Sequence, residues 1–280
     1  MHAAKSHLGR NRAAALLLAV LMAGFAWPLL AAERVLIQST TSTRNSGLYD
    51  YLAPLLLAEL DLAIDVVAVG TGAALRNAAN CDGDLLLVHA PGREADFVDS
   101  GFGIERFDLM YNDFVIVGPK QDPAQIAGLS DPALALQRIA AAGGPFLSRG
   151  DDSGTHIKEL ALWHSAGIDP RPASGRWYLE TGSGMGPTLN VAAGKDGYLL
   201  VDRASWISFA NKQNLVLLTQ QHPDLFNQYG VILVNPEKCK SSNYKAARKL
   251  QDWLLSEAGQ QAIAAYRKLN TQLFFPNAAR

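Results

Sequence analysis

Apolar residues alternate along this chain between two spacings. Short unbroken runs, Val35-Leu36-Ile37-Gln38, Ile64 to Val69 and Asp84 to Val88, are bounded by polar or glycine-containing turns, as strands buried on both faces are. Between them Leu48, Leu52, Leu55, Leu56 and Leu60 recur near helical spacing, and Ala73 to Ala79 predicts another helix. This β-α-β-α-β order predicts a parallel sheet with helices on its faces. Tyr111 to Pro119 reads as a strand, followed by a polar link. Ile126, Leu129, Leu134, Leu136 and Ile139 then mark helical material that Gly143-Gly144-Pro145 ends. Pro145 to Ser148, Trp177 to Leu179, Tyr198 to Val201 and Tyr229 to Val234 predict strands, and Ile157 to Ala166 a helix. Asn243 to Leu269 predicts one long helix containing Gly259, its stripe of Leu250, Trp253, Leu254 and Ile263 packing on the first unit.

The pattern describes a second α/β unit inserted into the first. Residues 33–113 plus 230–280 form lobe 1 and residues 114–229 lobe 2, with crossovers around 111–119 and 229–235 as the hinge. Ligands of open α/β sheets sit beyond the carboxyl ends of strands, and two lobes make a cleft of those ends.

The amino terminus changes the picture. Lys5, Arg10 and Arg12 precede a stretch from Ala13 to Leu30 that is apolar or small throughout, and Ala31-Ala32 precede Glu33. This is the outline of a secretory signal peptide over residues 1–32, so a periplasmic, soluble protein is expected. An uncleaved anchor is the alternative, since the stretch is long enough to span a bilayer. The leader holds three bases and no acid, so the mature chain is more acidic than the −1 of the whole. With no basic run and no aromatic-basic interleaving, nothing points to nucleic acid. Cys81 and Cys239 are the two cysteines, and an even pair in an oxidising compartment predicts a disulfide.

Four predicted strands run into turns rich in hydroxyls or glycine. These are Ser39 to Thr43, Gly70 to Ala74, Ser153-Gly154-Thr155 and Gly182 to Thr188. Each alone is an ordinary helix start. Four at strand-to-helix junctions of a two-lobe protein would converge on one cleft. The stretch SRGDDSGTH, Ser148 to His156, is the richest. Free N–H groups of a helix start favour an anion, and Arg149 adds a planar, permanently charged fork. The plainer account is an N-cap by Ser153 or Thr155 and a salt bridge from Arg149 to Asp151.

The ordered set STTSTRNSGLYDYL (39–52), VVAVGTGAAL (66–75), GDLLLVHAP (83–91), MYNDFVIVGP (110–119), SRGDDSGTH (148–156) and GSGMGPTL (182–189) resembles the tungstate-binding family of periplasmic solute-binding proteins serving ABC importers. The resemblance runs from about Val35 to Pro276. It implies an α/β, two-lobe, periplasmic-binding-protein-like (type II) fold with two hinge crossovers. It implies tungstate, or molybdate, as ligand and no cofactor. The implied partners are a membrane permease and its cytoplasmic ATPase, met by a shuttling monomer. Carried over by motif, Thr40, Thr41, Ser42 and Thr71 would bind the oxyanion from one lobe and Arg149, Ser153, Gly154 and Thr155 from the other. Met185, Gly186 and Thr188 would line the cleft.

Tungstate and molybdate are fully deprotonated dianions at neutral pH and need only donors, whereas phosphate keeps a proton and wants an acceptor. Phosphate-binding proteins share the Arg-x-Asp-x-Ser-Gly-Thr pattern of Arg149 to Thr155, so phosphate is the runner-up. Asp151 and Asp152 would be its acceptor or would orient Arg149 from behind, and the second role is the expected one. A secreted hydrolase using Ser153, His156 and an aspartate is the reading from another class. No Gly-x-Ser-x-Gly elbow supports it, so no enzyme is expected. His89, His156 and His164 show no metal-ligand spacing. Glu180, Asp202 and Arg203 read as solvated or paired groups, with Arg203 also a candidate for supporting the cleft.

Overall fold

The structure, a computed structural model, describes residues 32–278. The signal peptide read at 1–32 lies, but for Ala32, outside the described residues. Strand β1 (Glu33–Thr40) is flanked by the parallel strands β2 (Leu62–Val69) and β3 (Leu85–Val88), all four residues of β3 being buried. Helices α1 (Thr41–Ser46), α2 (Leu48–Leu60) and α3 (Thr71–Ala79) connect them. The hydroxyl cluster expected to open the long helix therefore forms a short helix of its own, capped by Thr40 and ended at Gly47.

Helix α4 (Pro91–Asp99) leads to β4 (Gly103–Pro119), which is longer than the run from Tyr111 that its apolar pattern predicts. Over Gly103 to Asp113 it pairs antiparallel with a late strand, Phe226–Val234, and over Phe114 to Pro119 with two others. One strand thus serves two regions. Its alternating side chains enter different cores beyond Asp113: Phe114 and Ile116 pack with Ile139, Trp163 and Tyr198, whereas Val115 and Val117 pack with Leu147, Leu189 and Val201. On the other side of the molecule Ile37, Leu52, Leu87 and Val231 form a core with Leu250 and Phe274.

Helix α5 (Pro132–Ala142) begins only at Pro132, because Asp131 caps it by accepting from the Ala133 and Leu134 N–H groups. Ile126 and Leu129 precede it and are not helical, which corrects the sequence pattern. There follow β5 (Phe146–Ser148), α6 (Gly154–Ser165), β6 (Tyr178–Glu180), α7 (Met185–Lys195), β7 (Leu199–Asp202), α8 (Arg203–Ser208), β8 (Leu215–Thr219) and β9 (Phe226–Val234). The long carboxy-terminal helix is also corrected. It is two helices, α9 (Tyr244–Leu255) and α10 (Glu257–Ala265), split where extended Ser256 caps the second through the Gly259 N–H.

Cys81 and Cys239 are bonded, with Cα atoms 5.1 Å apart at a sequence separation of 158. The bridge ties the turn after α3 to the loop after β9, with Cys239 buried against Ala78, Val88 and Val234. Replacing both cysteines by serine is expected to lower the unfolding free energy by about 2–5 kcal/mol. Urea denaturation of the double variant beside the oxidised protein checks this; equal midpoints would show that the closure contributes nothing.

Candidate functional site

Strand register brings the four turns together in two pairs. Thr40 of β1 lies opposite Val69 of β2, so these parallel neighbours end at one level and deliver the starts of α1 and α3 side by side. In the other half Ser148 of β5 lies opposite Glu180 of β6, and the starts of α6 and α7 follow in the same manner. The two pairs meet where Gly154 N–H donates to Thr71 Oγ1 at 3.2 Å. A methyl at Gly154 would stand 2.8 Å from the His89 ring and 3.0 Å from its carbonyl, so only glycine allows α6 to approach the first half this closely.

Around this junction lie polar side-chain atoms that are buried and have no partner among the described residues. They are Thr41 Oγ1, Ser42 Oγ, Thr155 Oγ1 and Arg149 Nε. A buried donor left unpaired costs about 1–3 kcal/mol, so four in one region describe a place for an acceptor. Arg149 is 3% exposed. Its Nη2 donates to Asp151, which is the orienting role expected of that residue. Ser153 is the N-cap of α6 and accepts from His156 N–H, so the plainer account of this turn is also present. That cap leaves the Ser153 hydroxyl proton and the Thr155 hydroxyl to be directed elsewhere. Thr40 Oγ1 is engaged in capping α1, bonded to Thr43 N–H and Thr43 Oγ1.

The remaining sequence candidates are placed differently. Thr188 Oγ1 bonds within its own turn, to Thr181 Oγ1 and to the carbonyls of Ser183 and Gly184. Met185 packs in the core beneath α7, although it and Gly186 also edge a hollow of about 270 Å³ shared with Asn45 and Ser205. The start of α7, like that of α3, has glycine at its N-cap and no side-chain cap. Asp152 does not orient Arg149, which corrects half of the expectation for the aspartate pair. Its carboxylate is held by both Nη atoms of Arg93 on α4, at 2.7 and 2.6 Å.

Of the groups read as solvated or paired, Arg203 is paired and half-buried, whereas Asp202 is fully buried. Arg203 grips Asp113 at 2.6 Å and 2.5 Å, fastening α8 to β4 at the crossover. Asp202 is 0% exposed, caps α8 through the Ser205 N–H at 2.9 Å, and has the hydroxyls of Ser42 and Ser205 beside its carboxylate. Burial raises its carboxyl above the ordinary range, opposed by the Ser205 hydroxyl and N–H, by the Ser42 hydroxyl and by the nearby Arg149 charge. Only its place at the end of a predicted strand marks Asp202 in the sequence. His89, buried against Tyr229 and bonded to Asn227 at 3.0 Å, is pushed down to about 4 by burial and by Arg149. It is therefore a neutral wall of the site at physiological pH. Among the described residues no group of His, Cys, Asp or Glu is arranged to hold a metal ion.

The chain is similar to known proteins over most of its length. A family model described as a PBP superfamily domain matches residues 30–258. The tungstate-binding protein TupA of Peptoclostridium acidaminophilum is 43% identical over 250 residues, covering 88% of this chain and 86% of that protein. The solved tungstate-binding protein TupA of Desulfovibrio alaskensis G20 is 45% identical, with a TM-score of 0.76, covering 89% of this chain and all of that one. The structure described as the tungstate ABC transporter of Geobacter sulfurreducens is 47% identical, with a TM-score of 0.77, covering 84% of this chain.

Behind the Arg149 turn, Glu159 of α6 is buried and accepts from Tyr178 Oη at 2.8 Å. Burial raises its carboxyl to about 8. In the unfolded chain it ionises in the ordinary carboxylate range. Stability from this group is thus complete in acid and is lost as pH rises towards 8, because the unfolded chain sheds its proton first. Glu159→Gln, which keeps an acceptor for Tyr178, is expected to remove about 2–4 kcal/mol of the stability difference between pH 5 and pH 8. Urea titrations at both pH values check this, and an unchanged slope would show that Glu159 is ionised in the fold.

Proposed function

The chain belongs to the PBP superfamily and, within it, to the family of tungstate-binding TupA proteins, and we propose that it captures tungstate for an ABC importer. The observation that carries this reading is the group of buried, unpaired donors at Thr41, Ser42, Arg149 and Thr155. Thr71 and the Gly154 turn stand among them, and Thr40 and Ser153 fix the helix starts that present them. Such a set suits a doubly charged tetrahedral oxyanion, to which each charge-assisted hydrogen bond contributes about 1.5–3 kcal/mol. Molybdate, of the same shape and charge, would be admitted by the same donors.

In this reading residues 33–113 with 230–280 and residues 114–229 are two lobes that part at the β4 and β9 crossovers. The oxyanion is first taken by one set of turns. Closure then brings Arg149, held in aim by Asp151, and the start of α6 over it. Burial of the guest strengthens each contact by lowering the local dielectric. The protein would act as a periplasmic monomer, binding without turnover and handing its cargo to a membrane permease driven by a cytoplasmic ATPase. Met185 and Gly186 fit a place at the cleft edge.

A second reading rests on Asp202. Its buried carboxyl, close to Ser42 and Arg149, would accept from a protonated oxyanion such as hydrogen phosphate, or, if itself protonated, would donate to a dianion. Titration calorimetry of the mature protein with tungstate, molybdate, sulfate and phosphate separates the two. Tungstate is expected to bind at least about a hundredfold more tightly than phosphate; the reverse order would favour the second reading. Arg149→Ala is expected to weaken tungstate binding at least about tenfold with an unchanged circular dichroism spectrum. Undiminished affinity in that variant would move the site elsewhere.

A further inference from the structure

Asp152 lies one residue before the buried Ser153, yet its side chain is 48% exposed and faces the other half of the molecule. Both of its oxygens are taken by the fork of Arg93, which projects from α4, and Arg76 of α3 stands 3.8 Å away. Arg76 and Arg93 follow β2 and β3 in the first half, whereas Asp152 belongs to the turn between β5 and α6 in the second. The backbone is shaped for this meeting. Asp152 adopts φ of 58°, a left-handed conformation that aspartate and asparagine tolerate better than most residues. On the facing side Gly72 leaves the room: a methyl there would run into Asp152 Oδ2 and would stand 2.8 Å from Arg93 Nη1. The Arg93 hydrogen bond holds the Asp152 carboxyl below the ordinary range, so the pair is charged throughout neutral pH.

We infer that Asp152 and Arg93, with Arg76 in second place, form an ion-pair clasp across the mouth of the cleft that sets how long a bound oxyanion is retained. The inference rests on the two-lobe capture reading but assigns the clasp no contact with the guest. An exposed ion pair contributes little to the stability of a rigid surface. Placed between two bodies that separate, the same small energy acts only on the closed state and slows opening. The neighbouring aspartates thus divide the work: Asp151 aims the cation that binds, and Asp152 holds the door. Release is the informative readout, because Arg76 and Arg93 also attract a dianion during approach and their loss would slow capture.

The test uses Asp152→Asn, which keeps shape and backbone tolerance, Arg93→Gln and the double variant. Each is loaded with radiolabelled tungstate and chased with excess unlabelled tungstate. Each single variant is expected to release label about two- to fivefold faster than wild type at low ionic strength, and the double variant no faster than the singles. The difference should shrink at high salt as the wild-type pair is screened. Release rates equal to wild type, or fully additive effects, overturn the clasp. If the wild type holds no tungstate, the functional reading falls while small-angle scattering still decides the clasp. Ligand-free Asp152→Asn should then be more expanded than wild type at low ionic strength, and equal radii overturn it.

Discussion

Burying hydrogen-bond donors without giving them protein acceptors is the constraint around which this molecule is arranged. Thr41, Ser42, Thr155 and Arg149 each present such an atom. Left alone, donors of this kind would draw in backbone carbonyls or rotate towards water, and a soft scaffold would let them. They stay because the elements that carry them are fixed from behind. Thr40 and Ser153 lock the first turns of α1 and α6, and Asp151 takes one arm of the guanidinium while leaving Nε free.

The scaffold transmits that rigidity through strand register. β1 pairs with β2 residue for residue from Glu33 opposite Leu62 to Thr40 opposite Val69, so the register of this pair fixes where α1 and α3 begin. In the other half the shorter β5 and β6 do the same for α6 and α7, backed by the Phe146, Trp163 and Tyr178 ring cluster. His89 joins the halves: bonded to Asn227 of β9, it lies against Gly154 of α6. Arg203 and Asp113 secure the crossover from which the second half hangs.

The proposed binding and retention roles fall to separate groups. The groups suited to grip an oxyanion are buried and mostly neutral, with Arg149 supplying fixed charge; the clasp at Asp152 is exposed and wholly ionic. Burial makes the first set strong and insensitive to salt, while exposure keeps the second weak and reversible. A carrier that must later surrender its cargo benefits from having its closure energy in the weaker of the two.

Much of this was legible in the residues, and the boundary is physical. Local signals were sound where chemistry is local: the unbroken apolar runs found β1 to β3, helical spacing found α2, the hydroxyl turns found the helix starts, and the family resemblance agreed with the relatives. Pairing across space was not available from local pattern. PGREADFVD carries only a proline and a glutamate as signs of a helix start, and nothing in it marks Arg93 as the partner of Asp152 fifty-nine residues on. Adjacent Asp151 and Asp152 look alike in sequence, and only the fold points one inward and the other across the cleft. Asp202 likewise reads as an ordinary polar residue until β7 carries it into the interior. Composition and periodicity determine which elements form, because those depend on neighbours along the chain. Which charges meet depends on how the elements pack, and that is decided only when the whole core closes.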